Sequence, residues 1–148
     1  MSKHICLIGL QWGDEGKGKI VDYLSNKVDA TVRWQGGGNA GHTVYIDGEK
    51  HVLHHIPVGV LHDDVLAVLG NGMVIEPKEF MAEYDSLTPE QQSRVRISEG
   101  AHIVLPEYLE TDRLREDDET KTKIGTTLRG IGPTYEAKYA RVGRRVGD

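Results

Sequence analysis

One cysteine, Cys6, is present in 148 residues, so no internal disulfide can form. Its neighbours form a short apolar run, which predicts a small buried core residue, and a lone thiol fits a reducing compartment. Long hydrophobic stretches are also missing. Ile5 to Leu10 is too short for a secretory pattern and runs into charged residues, and nothing approaches membrane-spanning length. The default location is therefore the cytoplasm, with no membrane partner. Positive charge is in deficit as well: the net charge is −5, which removes a global basic field for nucleic acid. Only Lys138, Arg141, Arg144 and Arg145 form a local basic stretch. There is no internal repeat and no low-complexity tract. The remaining composition, 38% hydrophobic and 28% charged, is ordinary for a single domain with one core.

Glycine is what the chain does have. Most of its 18 glycines gather in a few clusters, which points to backbone that turns sharply or lies close to a ligand. The first cluster, Gln11 to Gly18, follows the apolar run His4 to Leu10, read as a buried parallel strand. It precedes Lys19 to Asn26, where Ile20, Val21 and Leu24 have helical spacing. Val28 to Trp34 reads as a second strand. Thr43 to Ile46, Asp47-Gly48 and Lys50 to His54 read as a β-hairpin on a tight turn. Val65 to Leu69 predicts a strand ending at Gly70-Asn71-Gly72. Pro77 to Tyr84 predicts a helix with proline in its first turn, and Thr88-Pro89-Glu90 the cap of a short one. The acidic stretch Glu107 to Lys123 reads as a solvated helix or mobile loop. These elements predict an α/β fold: a phosphate-loop-like, mainly parallel sheet flanked by helices, with one hairpin.

The segment Gly13-Asp14-Glu15-Gly16-Lys17-Gly18-Lys19 has the spacing of a phosphate loop: glycine, four residues, then Gly-Lys. Glycines let backbone N–H groups point at phosphate oxygens, the lysine pairs with their charge, and a helix N-terminus favours an anion. The hydroxyl residue that usually follows, to serve magnesium, is replaced by Ile20. Asp14 is the obvious substitute, because an anion among phosphates is costly unless it holds a metal or moves a proton. A solvated turn with incidental charges is the competing account.

The second cluster, Gly36 to Thr43, offers one ionisable group, His42, on a glycine frame with room for a ligand; a purely structural histidine is the alternative. Thr43 adds a hydroxyl, and the Gly41 carbonyl could ligate a metal. His51, His54 and His55 suggest zinc, but no cysteine lies nearby and strand alternation separates His54 from His55, so they read as hairpin residues. Thr126-Thr127 with Arg129, followed by the basic stretch at Arg141, could take a second phosphate.

Taken in order, QWGDEGKGK (Gln11 to Lys19), QGGGNAGHT (Gln35 to Thr43) and IGTTLRGIGPTYEAK (Ile124 to Lys138) resemble the adenylosuccinate synthetase family. VLHHIPVGVL (Val52 to Leu61) and GNGMVIEP (Gly70 to Pro77) extend the resemblance over nearly the whole chain. It implies ligation of L-aspartate to the 6-position of IMP, driven by GTP hydrolysis and requiring Mg2+. Asp14 would be the general base at N1 of IMP and a magnesium ligand, with the Gly41 carbonyl as a second ligand. The resulting 6-oxyanion would attack the γ-phosphate, His42 acting as general acid and Lys17 neutralising the transferred phosphoryl. Gly13, Asp14, Glu15, Gly16, Lys17, Gly18 and Lys19, with Gly41, His42 and Thr43, would border the GTP phosphates. IMP would meet Asp14, Glu15, Gly16, Lys17, Asn39, Ala40, Gly41, His42 and Thr127, and Arg141 would reach the partner's IMP across a homodimer. Leu128, where glycine or a basic residue is more usual, and the acidic segment Tyr108 to Glu119 depart from the family pattern. Family chains are far longer. Residues 1–148 would form the N-terminal part of the synthetase domain, inactive alone; the alternative is a non-catalytic nucleotide- or phosphate-binding module.

Overall fold

The structure, a computed structural model, describes residues 4–11, 15–46, 48–117 and 125–148. Its centre is β4 (Leu66–Ile75), which pairs in parallel with β1 (Ala30–Gly36), β5 (Val95–Ile97) and the short β6 (His102–Ile103). The hairpin of β2 (His42–Ile46) and β3 (Glu49–Leu53) forms a separate antiparallel ladder, with Ile46 opposite Glu49. Gly48, at φ +84°, supplies the left-handed residue of its tight turn; Asp47 lies outside the described residues. The expected α/β class, mainly parallel sheet, flanking helices and hairpin are all present.

The helices are α1 (Lys17–Ser25), α2 (Pro77–Asp85), α3 (Pro89–Gln92), α4 (Pro106–Glu116) and α5 (Ile131–Ala140). Local chemistry sets several of their ends. Glu76 caps α2 by accepting the Glu79 N–H at 2.6 Å, ahead of Pro77 at its first position. Thr88 and Gln91 form a reciprocal capping box on α3. The main core joins β4 (Ala67, Leu69, Met73, Ile75) to the hairpin (Val44, Leu53), to Ile56, Val58 and Val60 after it, and to Phe80 of α2. These side chains are removed from water almost completely, and each of the Val, Leu, Ile, Met and Phe among them contributes about 1.5–3 kcal/mol of transfer free energy.

Four findings depart from the sequence expectations. Residues 4–10 form no strand: Ile8 is 72% and Leu10 90% exposed, and Cys6 is exposed rather than buried. An apolar run creates a tendency to be covered, but a strand also needs a neighbour whose ladder is free, and none of the described strands takes this segment. Second, β4 does not stop at Gly70-Asn71-Gly72 but runs through it to Ile75. Its register against β1 shifts between Arg33 and Gln35. The glycines permit this bulge, because a Cβ on Gly70 would lie 2.8 Å from the Trp34 Cα and one on Gly72 2.3 Å from the Trp34 carbonyl oxygen. Third, the third glycine cluster opens a helix, α5, that its sequence does not announce. Pro133, Thr134 and Ala137 are buried, and no clear apolar stripe marks the segment. Fourth, the acidic stretch is helical over its first part, as one of its two readings expected, but Asp112 in α4 is buried rather than solvated and accepts the Gly130 N–H at 2.9 Å; residues 118–123 of the stretch lie outside the described residues.

Candidate functional site

The site grows from three loops that the fold brings together. The first ends at Gly16, whose φ of +80° turns the chain into the N-terminus of α1. Lys17 opens the helix and its ammonium pairs with the Glu15 carboxylate, which also accepts the Gln11 N–H at 3.0 Å. The Lys17 ammonium holds the Glu15 carboxyl below the usual carboxylate range. Lys19 lies exposed on the same first turn, where the helix dipole favours an anion; its own N–H donates to the Gly16 carbonyl at 3.0 Å. Gly13 and Asp14, the expected base and metal ligand among them, lie outside the described residues.

Gly18 connects this loop to the second. A Cβ at Gly18 would lie 3.2 Å from His42 Cβ and Nδ1, so the imidazole rests directly on the first turn of α1. His42 is the first residue of β2, and the α1-hairpin packing sets its position. Burial holds its pKa below the ordinary 6.5, with the Arg33 guanidinium and Lys17 acting in the same sense and Glu83 opposing them. The ring is therefore neutral at physiological pH without a ligand, and an arriving phosphate would favour its protonation. Asn39 and Ala40 lie exposed in the turn before it, and Gly41 and Thr43 are exposed on either side.

The third loop is joined to the second by Arg129, which donates to the Gly38 carbonyl and pairs with Glu79 at 3.1 Å. Thr127 is exposed; its neighbour Thr126 accepts the Leu128 N–H at 3.3 Å, with Leu128 at φ +56°. Arg141 stands apart. It is the exposed, left-handed C-cap of α5, the ten-residue length of the helix away from Gly130, or about 15 Å along the axis.

Several contributors were not singled out from sequence. Arg33 donates to the His54 carbonyl and to the Gly37 carbonyl at 2.8 Å. The Tyr135 hydroxyl accepts from Gly36 N–H and donates to the Gly72 carbonyl, both at 2.8 Å. Glu83 is buried, with its carboxylate against the amides of residues 54–56. One signal for Glu83 was available: it falls on the helical face of Phe80, Tyr84 and Leu87, where an unpaired carboxylate is not tolerated. Val52, His54, Glu79, Ala82, Glu83, Ser86 and Arg129 line a groove of about 340 Å³ beside these loops.

Among the described residues no three His, Cys, Asp or Glu gather into a metal cluster. The oxygen donors that the described residues of these loops offer, the Gly41 carbonyl and the Glu15 carboxylate, are of the hard type that Mg2+ takes, a cation that keeps several waters and needs few protein ligands beside phosphate oxygens.

A glycine turn at a helix N-terminus, with an imidazole resting on the helix's first turn, sits here in an α/β protein with a mainly parallel sheet, flanking helices and a hairpin. The family model for adenylosuccinate synthetase matches residues 6–148. Adenylosuccinate synthetase of Christiangramia forsetii is 54% identical over 145 residues, covering 96% of this chain and 34% of that protein. A relative of the same description from Stutzerimonas stutzeri is 50% identical over 151 residues, covering 100% of this chain and 87% of its own length. The solved structure of the fully ligated adenylosuccinate synthetase of Plasmodium falciparum superposes with a TM-score of 0.88 at 48% identity, over 94% of this chain and 33% of that one. The succinoaminodeoxyadenylate synthetase of cyanophage S-2L, bound to dGMP and dATP, gives 0.75 at 28% identity, over 93% of this chain and 39% of the other. The chain belongs to the adenylosuccinate synthetase family. It spans about a third of the length of most of the curated relatives described for it, 34% for the first.

Proposed function

We propose that residues 1–148 carry the phosphoryl-transfer part of a GTP- and Mg2+-dependent ligation of L-aspartate to IMP, giving adenylosuccinate, GDP and phosphate. The observation that carries this reading is the His42 imidazole lying against Gly18 in the first turn of α1. Phosphoryl transfer asks chiefly for positioning and for charge stabilisation, and a proton donor beside an anion-binding helix start supplies both. In this reading Asp14 takes the N1 proton of IMP. His42 hydrogen-bonds the 6-oxygen as the phosphoryl group arrives, and Lys17 exchanges its Glu15 partner for phosphate oxygens. Magnesium, held by Asp14 and the Gly41 carbonyl, would supply charge neutralisation at the phosphates. Asn39, Ala40 and Thr127 would face IMP, and Arg141, exposed and remote from its own loops, would serve the partner's IMP in a cytoplasmic homodimer.

The chain alone is expected to bind nucleotide and not to turn over. Calorimetric titration with IMP, in the presence and absence of GTP and Mg2+, tests this. Magnesium-dependent synergy between the nucleotides supports it. Independent binding without synergy favours a plain nucleotide-binding module, absence of binding refutes both, and preference for dGMP with dATP would move the substrate class to that of the phage relative. Formation of adenylosuccinate on adding aspartate would overturn the expected inactivity.

A further inference from the structure

Glu83 has no part in the chemistry above, yet its carboxylate is buried at 8% exposure and accepts three consecutive backbone amides. It takes the His54 N–H at 2.9 Å, the His55 N–H at 3.0 Å and the Ile56 N–H at 2.7 Å. These amides follow β3, where no ladder partner is left for them. The segment they hold is the floor of the second glycine loop. A Cβ on Gly38 would lie 2.5 Å from His55 Cε1, and one on Gly41 would lie 3.0 Å from His54 Nε2, so both imidazoles press against the loop backbone. His55 is fully buried; its Nε2 faces the Glu76 N–H at 3.4 Å, and its Nδ1 points towards Glu83 at 3.8 Å. Arg33 closes the arrangement by joining the His54 carbonyl to the Gly37 carbonyl.

We propose that Glu83 is the positioning residue of the 37–42 loop: by clamping residues 54–56 it fixes the two histidine rings on which Gly38 and Gly41 rest, and through them the start of β2 that carries His42. This role rests on the proposed function for its consequence, but not for its structural content. Charge matters as well as shape. Three donors on one carboxylate are charge-assisted, and a neutral amide of the same size offers one acceptor oxygen and turns an NH2 group toward N–H donors.

The test is 15N relaxation on this chain and its Glu83→Gln variant. Order parameters at Gly37, Gly38 and Gly41 should fall from about 0.85 to below about 0.6, while Ala67 and Leu69 in β4 keep theirs. Arg33→Lys, which loses the fork that spans two carbonyls, should loosen the same glycines but leave the His54–Ile56 amides protected from exchange. Unchanged glycine order parameters in Glu83→Gln, or a loss spread equally into β4, would overturn the proposal. If Glu83→Gln fails to fold, the Glu79→Gln chain decides, the titratable and charged groups that then face Glu83 being Arg33, His42, His54, His55 and Arg129. The glycine amides should then shift with the midpoint of the Glu83 side-chain carboxyl, and a different midpoint refutes the clamp. IMP affinity should fall at least tenfold in Glu83→Gln. Failure of the wild-type chain to bind IMP would sink the proposed function, while the order parameters still judge the clamp.

Discussion

Replacing Gly18 with alanine separates what this site needs from what the fold needs. Gly18 lies inside α1 at an ordinary helical φ, so its backbone is open to any residue. Alanine is favoured over glycine in a helix by up to about 1 kcal/mol, less in the first turn. Against this, the new methyl would sit 3.2 Å from His42 Cβ and Nδ1, and the ring must give by a few tenths of an ångström. His42 is only half-buried at the start of the hairpin, so it can yield at less than the ~1–3 kcal/mol of a fully packed core. The two effects offset each other, and stability should stay within about 1 kcal/mol of the parent, a Tm change of a few degrees for a chain of this size. Positioning is less forgiving, since misplacement by about 1 Å can lower a rate about 100-fold. Urea denaturation, the His42 ring resonances and Mg2+-dependent nucleotide synergy are the three readouts. Preserved stability with shifted ring resonances and lost synergy is the expected result. A loss of more than about 2 kcal/mol, or unmoved His42 resonances, would refute the placement of the imidazole on α1.

Burial holds His42 below the ordinary histidine pKa, so the folded chain should lose stability as pH falls through about 6.5 toward the depressed value; NMR titration should give a midpoint below 6.5 that rises when phosphate binds. For Glu83, burial alone would raise the pKa, but hydrogen bonds from His55, His54 and Ile56 outweigh it and lower it. Its stabilisation is thus present above the unfolded value near 4.5 and is lost as pH falls through the folded one. Glu83→Gln should cost about 1–3 kcal/mol at pH 7 and flatten the acid limb of a stability–pH curve. Gly72→Ala places a methyl 2.3 Å from the Trp34 carbonyl oxygen and should destabilise by several kcal/mol on urea denaturation, because relieving the clash must move backbone of β1 or β4 on either side of their ladder. Asp14→Asn should leave stability within about 0.5 kcal/mol while abolishing nucleotide synergy; retained synergy removes Asp14 from its proposed role.

The sequence alone determined the elements whose causes are local. The helix after Gly16, the proline-led start of α2, the cap of α3, the hairpin that turns at Gly48 and the order of the three glycine loops follow from spacing and turn chemistry within a few residues. It also determined the family, because motifs in fixed order carry that information directly. Tertiary structure decided everything that depends on a distant partner. Residues 4–10 look like a buried strand, but pairing is a property of two segments, and the second cannot be read from the first. Gly70 and Gly72 look like the end of a strand until β1 lies against them and their missing side chains become the means of approach. The loop resting on α1, the second loop bound by Arg129, and the carboxylate of Glu83 beneath both histidines are all contacts between residues far apart in the chain. Sequence supplied the first glycine loop and the imidazole; only the packing of the hairpin on α1 placed one against the other.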